Sequence, residues 1–131
     1  SVPATTDLSD ASTWAEYGTT STIVGWTSFT VKSIQVAKFG KILFVIYYLD
    51  GVSNSTSITF TLPNTYINTS PLTVIAPVGQ TINNGVVLDV KALIQILFNS
   101  TTVTVYRDVA GTNWTNSGRK QVIGQFFMPI Q

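Results

Sequence analysis

The side chains that usually do chemistry are scarce in this chain of 131 residues. It has no histidine and no cysteine. That removes Ser-His-Asp and Cys-His triads, imidazole acid–base steps, His-ligated zinc and every metal–sulfur centre. No glycine pattern cradles a phosphate; the glycines read as turn residues. What remains is a set of six carboxylates: Asp7, Asp10, Glu16, Asp50, Asp89 and Asp108. A glycosidase needs two of them at a fixed separation. Asp50 and Asp108 both stand at the ends of strand-like runs, where they could meet. At such places Asp is also a turn residue that bonds nearby backbone. The expectation is therefore a protein that is not an enzyme, with no catalytic residue and no cofactor. No Asp-x-Asp run marks a calcium loop, so no metal site is expected.

The aromatics are the other candidates. Trp114 lies in a polar stretch with Asn113, Thr115, Asn116 and Ser117. Exposed there, it could stack on a sugar ring while its neighbours bond the hydroxyls. Buried, it would plug the end of the core, as large aromatics commonly do. Trp14 and Trp26 read as core or interface residues. Sequons at Asn54, Asn68, Asn99 and Asn113 arise readily in a chain so rich in Ser, Thr and Asn, and carry no inference. The candidate ligand contacts are Trp114, Asn113, Asp108, Asn54 and Tyr66. They lie on the loops 50–56, 64–71 and 108–118, because recognition sits on loops held by a rigid scaffold.

The scaffold that must hold them is organised around Ile42–Leu49, eight apolar or aromatic residues between Gly40-Lys41 and Asp50-Gly51. β-branched and aromatic types with turn residues at both ends make this a strand. It does not alternate, so both of its faces are expected to be covered. Phe44, Ile46 and Tyr48 are the candidates for an oligomer interface. Ile58, Phe60 and Leu62 alternate with Thr up to Pro63. The run 72–78 carries prolines at its ends and reads as an edge strand. Asn83-Asn84-Gly85 reads as a hairpin turn. Further strands are expected near 22–26, 29–36 (with a bulge near Lys32–Ser33), 86–90, 92–98, 102–107 and 121–130. The expected fold is all-β: an antiparallel β-sandwich or jelly roll of eight to nine strands with no significant helix. Residues 1–12 read as a linker, and 13–131 as one head domain.

Only 10% of residues are charged, the net charge is +1, and the cations are scattered, so no nucleic-acid partner is expected. The longest apolar run is far below the roughly 18 residues of a membrane-spanning helix, so no membrane insertion is expected. A small outer-membrane barrel ranks low, because Ile42–Leu49 lacks its alternation. The surface is polar through Ser, Thr and Asn rather than through charge. That suits an extracellular or virion-exposed protein.

Three segments, Phe39–Pro63, Thr104-Val-Tyr-Arg-Asp and Trp114–Phe126, carry a resemblance together with Trp14 and Val24-Gly25-Trp26. The chain resembles the C-terminal head domains of tailed-bacteriophage fibres and related receptor-binding proteins, over most of 14–127. The resemblance implies a β-sandwich or jelly-roll head, assembled as a homotrimer on a virion appendage, that binds a host cell-surface glycan or protein. No receptor-binding residue transfers, since the binding loops of such heads vary. The alternatives are a structural virion protein of capsid or decoration type, and a secreted bacterial carbohydrate-binding module or adhesin.

Overall fold

The computed structural model describes residues 12–130. Asp7 and Asp10, and most of the linker-like segment, lie outside them. Eleven strands follow in chain order: β1 (Ala15–Glu16), β2 (Ile23–Val24), β3 (Trp26–Phe39), β4 (Ile42–Ser53), β5 (Ile58–Thr61), β6 (Val74–Pro77), β7 (Gln80–Asn83), β8 (Val86–Val87), β9 (Leu93–Ile96), β10 (Thr102–Tyr106) and β11 (Arg119–Pro129). They form a β-sandwich of two antiparallel sheets, ordered β1-β3-β4-β11-β7-β8 and β2-β5-β10-β9-β6. The all-β sandwich, with no helix among the described residues, is as expected. The excess over eight to nine strands comes from short pieces such as β1 and β7. These are too brief or too polar to show an alternation.

The core lies between the sheets and follows the period of two. Leu43, Val45, Tyr47 and Leu49 of β4 meet Ile58 and Phe60 of β5, Ile94 and Ile96 of β9, and Val103 and Val105 of β10. The edge position of β6, with Pro77 in it, is as expected. So is the hairpin at Asn84 and Gly85, which adopt φ of 51° and 79° between β7 and β8.

Two expectations need correction. The register slips of β3 against β4 fall between Trp26 and Ser28 and between Phe29 and Val31, not at Lys32–Ser33. The bulge sits there because Gly51, opposite Phe29, is the one residue of β4 without a side chain. The second concerns β4 itself. It runs on through Asp50, Gly51 and Val52 to Ser53, so its loop begins only at Asn54. Within the single chain only one face is covered: Phe44, Ile46 and Tyr48 are 41%, 42% and 37% exposed. The non-alternating run reflects an apolar outer face, not a second core.

One polar cluster pins the sheet. The Glu16 carboxylate accepts the amides of Gly18 and Ile34, the Ser33 hydroxyl and the Gln35 side-chain amide, at 2.7 to 2.9 Å. Partial burial pushes its pKa up, but these four donors outweigh it and hold the carboxyl below its usual range. Tyr47, by contrast, is fully buried beside Phe60 and Phe126, and its hydroxyl has no hydrogen-bond partner among the described residues. Burial alone raises its pKa. A buried donor left unpaired costs about 1–3 kcal/mol. Tyr47→Phe is therefore expected to stabilise the protein by about 1 kcal/mol, measured as a rise in urea midpoint at constant slope.

Candidate functional site

β4 delivers the chain to the loop 54–57, and β10 delivers it to the loop 107–118. Both emerge at the same end of the sandwich and are laced together. The Ser53 hydroxyl donates to the Thr115 carbonyl at 2.7 Å, and the Ser53 amide to the Gly118 carbonyl at 2.8 Å. The Trp114 amide reaches the Thr56 carbonyl at 3.0 Å, and the Asn54 amide the Gly25 carbonyl at 3.2 Å. Asn83, at the tip of β7, adds its own clamp. Its Oδ1 accepts the Thr115 amide at 2.9 Å, and its Nδ2 donates to the Thr115 hydroxyl at 3.1 Å.

Beneath these loops sits a residue that the sequence reading passed over as one of the scattered cations. Lys120 is fully buried. Its Nζ donates to the carbonyls of Gly25 at 3.1 Å and Ser55 at 2.8 Å. It lies 5.5 Å from the centroid of the Trp26 ring and 5.9 Å from that of Trp114. Two indole faces and two carbonyls replace the water a cation would otherwise hold. The described ion pairs, Arg119 with Asp50 and Arg107 with Asp108, leave it out. Burial pushes its pKa down to about 8. One signal was available: on β11, Lys120 shares the inward parity of Val122, Phe126 and Met128.

Of the two readings of Trp114 the structure gives the buried one, and its place among the ligand contacts is corrected. The residue is 3% exposed, and its Nε1 donates to the Val105 carbonyl at 3.0 Å. It plugs the core over Lys120 and offers no face to a sugar. Asn54 and Asn113 are exposed on the paired loops. Asp108 closes its own turn, accepting the Thr112 amide at 2.9 Å. Bonds from the Thr112 side chain and backbone, with Arg107 nearby, hold its carboxyl below the usual range. Tyr66 lies elsewhere: β5 runs from the first loop away to residues 62–73, so Tyr66 belongs to the opposite end of the sandwich and packs on the core. Asp50 is no turn residue. It stands in mid-strand on the outer face, gripped by Arg119 through Nε at 3.1 Å and Nη2 at 2.9 Å, with Gln121 Nε2 at 3.3 Å. Asp50 and Asp108 thus each have their own hydrogen-bond partners. Among the described residues no cluster of three or more carboxylates could hold a metal. Nor is any helix there long and apolar enough to cross a membrane.

The paired loops expose amides and hydroxyls at Asn54, Thr56, Ser57, Thr112, Asn113 and Asn116, groups that can donate and accept hydrogen bonds. No protein-family model matches the chain, and no curated protein does.

Proposed function

We propose that this chain is a non-enzymatic virion attachment module, a homotrimeric phage fibre head that binds a host cell-surface glycan or protein. The loops 54–57 and 107–118 are its contact surface. The observation that carries this reading is the lacing of the two loops to each other and to Lys120. It fixes exposed Asn54 and Asn113 in place before any ligand arrives, and preorganisation of this kind lowers the entropy cost of binding. The chain path is in keeping. Ser12 pairs with Lys38, its amide donating to the Lys38 carbonyl at 2.7 Å. Lys38 is at the far end of β3 from Gly25, so Ser12 lies at the end of the sandwich opposite the loops. The exposed apolar face of β4 also suits a structural virion protein, which would oligomerise without binding cells.

The test is adsorption of fluorescently labelled protein to a panel of bacterial strains. The expected result is binding to at least one strain, lost tenfold or more in an Asn54→Ala/Asn113→Ala variant with unchanged thermal midpoint. Binding that ignores both changes overturns the loop assignment, and no adsorption to any strain favours the structural protein.

A further inference from the structure

The segment that carries Asn113 is fastened to the sandwich by few groups. Of residues 107–118 only Trp114 is buried; the others are exposed or half-buried. Two glycines bracket the outer part, Gly111 at φ 74° and Gly118 at φ 75°, a conformation that L side chains rarely adopt. Between them the chain is tied down by Trp114 and by the bonds of Thr115 to Ser53 and Asn83. A stretch with a single buried apolar anchor opens locally at less cost than the sandwich unfolds.

What the anchor covers is a lysine without a counter-ion. Each element packed on the Lys120 ammonium brings it a neutral group. From the β3 side come the Trp26 ring and the Gly25 carbonyl, from the loop 54–57 the Ser55 carbonyl, and from the segment 111–118 the Trp114 ring. Arg119, its neighbour on β11, is engaged with Asp50 on the outer face. Arg107 and Asp108 pair with each other where the loop begins. Burial is the one cause of the lowered pKa of Lys120, with no contribution from a charged group. Two carbonyls and two rings hold a buried ammonium less well than water does. Lifting Trp114 removes one of the rings and admits water to Nζ.

We propose that residues 112–117 form a lid, hinged at Gly111 and Gly118, that lifts Trp114 off Lys120 without unfolding the sandwich, and that the charge on Lys120 drives the opening. The closed lid is the resting state. In the open state the ammonium is hydrated and regains the ordinary lysine pKa of 10.5, against about 8 when closed. Between those values opening takes up a proton, so the open fraction falls as pH rises. Below pH 8 both states are charged, and the open fraction levels off at its highest value. The lid is thus a proton-sensitive latch on the paired loops. The inference stands on the burial of Lys120 and the two hinges and does not rest on receptor binding.

The test is cleavage of the full chain by chymotrypsin, which cuts after Trp114 only when that residue leaves the core. Protease is kept at levels where the rate stays proportional to it, so that the rate reads the open fraction. Each rate is divided by that of a free peptide of sequence 108–119 at the same pH. The first cut is expected after Trp114, with a normalised rate about tenfold lower at pH 9 than at pH 7. About 1 M urea should leave that rate nearly unchanged, whereas cleavage through global unfolding would speed up about fivefold or more. Lys120→Met should remove the pH dependence. A first cut elsewhere, no cut at Trp114, or the urea dependence of global unfolding overturns the lid. A normalised wild-type rate that is flat from pH 7 to pH 9, or a pH dependence that survives in Lys120→Met, overturns its link to Lys120. The wild-type measurements decide both points even where the variant fails to fold.

Discussion

Unfolding free energy is expected to rise by about 2–3 kcal/mol between pH 7 and pH 10, and Lys120→Met is expected to abolish that rise. The folded-state pKa of Lys120 is lowered by burial to about 8 from the ordinary lysine value of 10.5. Between those two values the unfolded chain binds the proton and the folded chain does not. Stability therefore climbs with pH across this window and is lowest below it, where the buried ammonium is charged in full. Above pH 10 the sign reverses at Tyr47. Its pKa is raised by burial, so the unfolded chain loses that proton first and gains. A maximum near pH 10 is the expected profile. Replacement by Met leaves the Gly25 carbonyl with the Asn54 amide at 3.2 Å. The Ser55 carbonyl loses its short bond, because the single Ser53 hydroxyl proton goes to the Thr115 carbonyl at 2.7 Å rather than to Ser55 at 3.3 Å, and this loss holds the gain to the low end. Exchanging a buried charge for a well-packed apolar side chain is often stabilising by about 1–4 kcal/mol. A gain of about 1 kcal/mol at pH 7 is expected here, with the flat profile as the decisive observation. Urea denaturation at half-unit steps of pH measures both. A variant that keeps the wild-type slope would place the titration elsewhere.

Lys120 also shows what the sequence hides. The sandwich was legible because alternation in β5 and β10, and turn chemistry at Asn84-Gly85, are local signals. The edge position of β6 was legible because proline cannot donate to a ladder. The site was harder, because it depends on which residues meet. Asn113 and Asn54 are far apart in sequence, and only the topology places their loops together. Trp114 offers the same residue type to a ligand or to a core. A lysine below it, needing cover for its charge, decides for the core. Tyr66 was grouped with the other loop residues by composition alone, while the direction of β5 puts it at the other end. The outer face of β4 fell between the two cases. Its apolar character was visible, but a run without alternation does not say whether the second cover comes from its own chain or another.

The position of the contact loops depends on a glycine that the same run ends on. Gly51→Ala is expected to cost about 3 kcal/mol or more and, under the attachment function proposed above, to abolish cell binding along with it. A Cβ there would fall on the Ser28 carbonyl oxygen and lie 2.9 Å from Phe29 Cα. Both are backbone atoms of the β3 bulge, which no rotamer can move. Relief requires shifting β3 against β4, and with it Ser53, whose amide and hydroxyl tie the loop 107–118 to the sandwich. Gly124 offers the contrasting case. Its Cβ would meet Tyr47, directly opposite on β4, at the hydroxyl and at 2.8 Å from Cζ. This neighbour is a side chain, so Gly124→Ala should be partly rescued by Tyr47→Leu, with a favourable coupling of about 1–2 kcal/mol in a double-mutant cycle. The same Tyr47→Leu change should do nothing for Gly51→Ala. Equal rescue of both would mean that the bulge is as yielding as a side chain. In that case the loop platform would not be held by the register of β3 on β4.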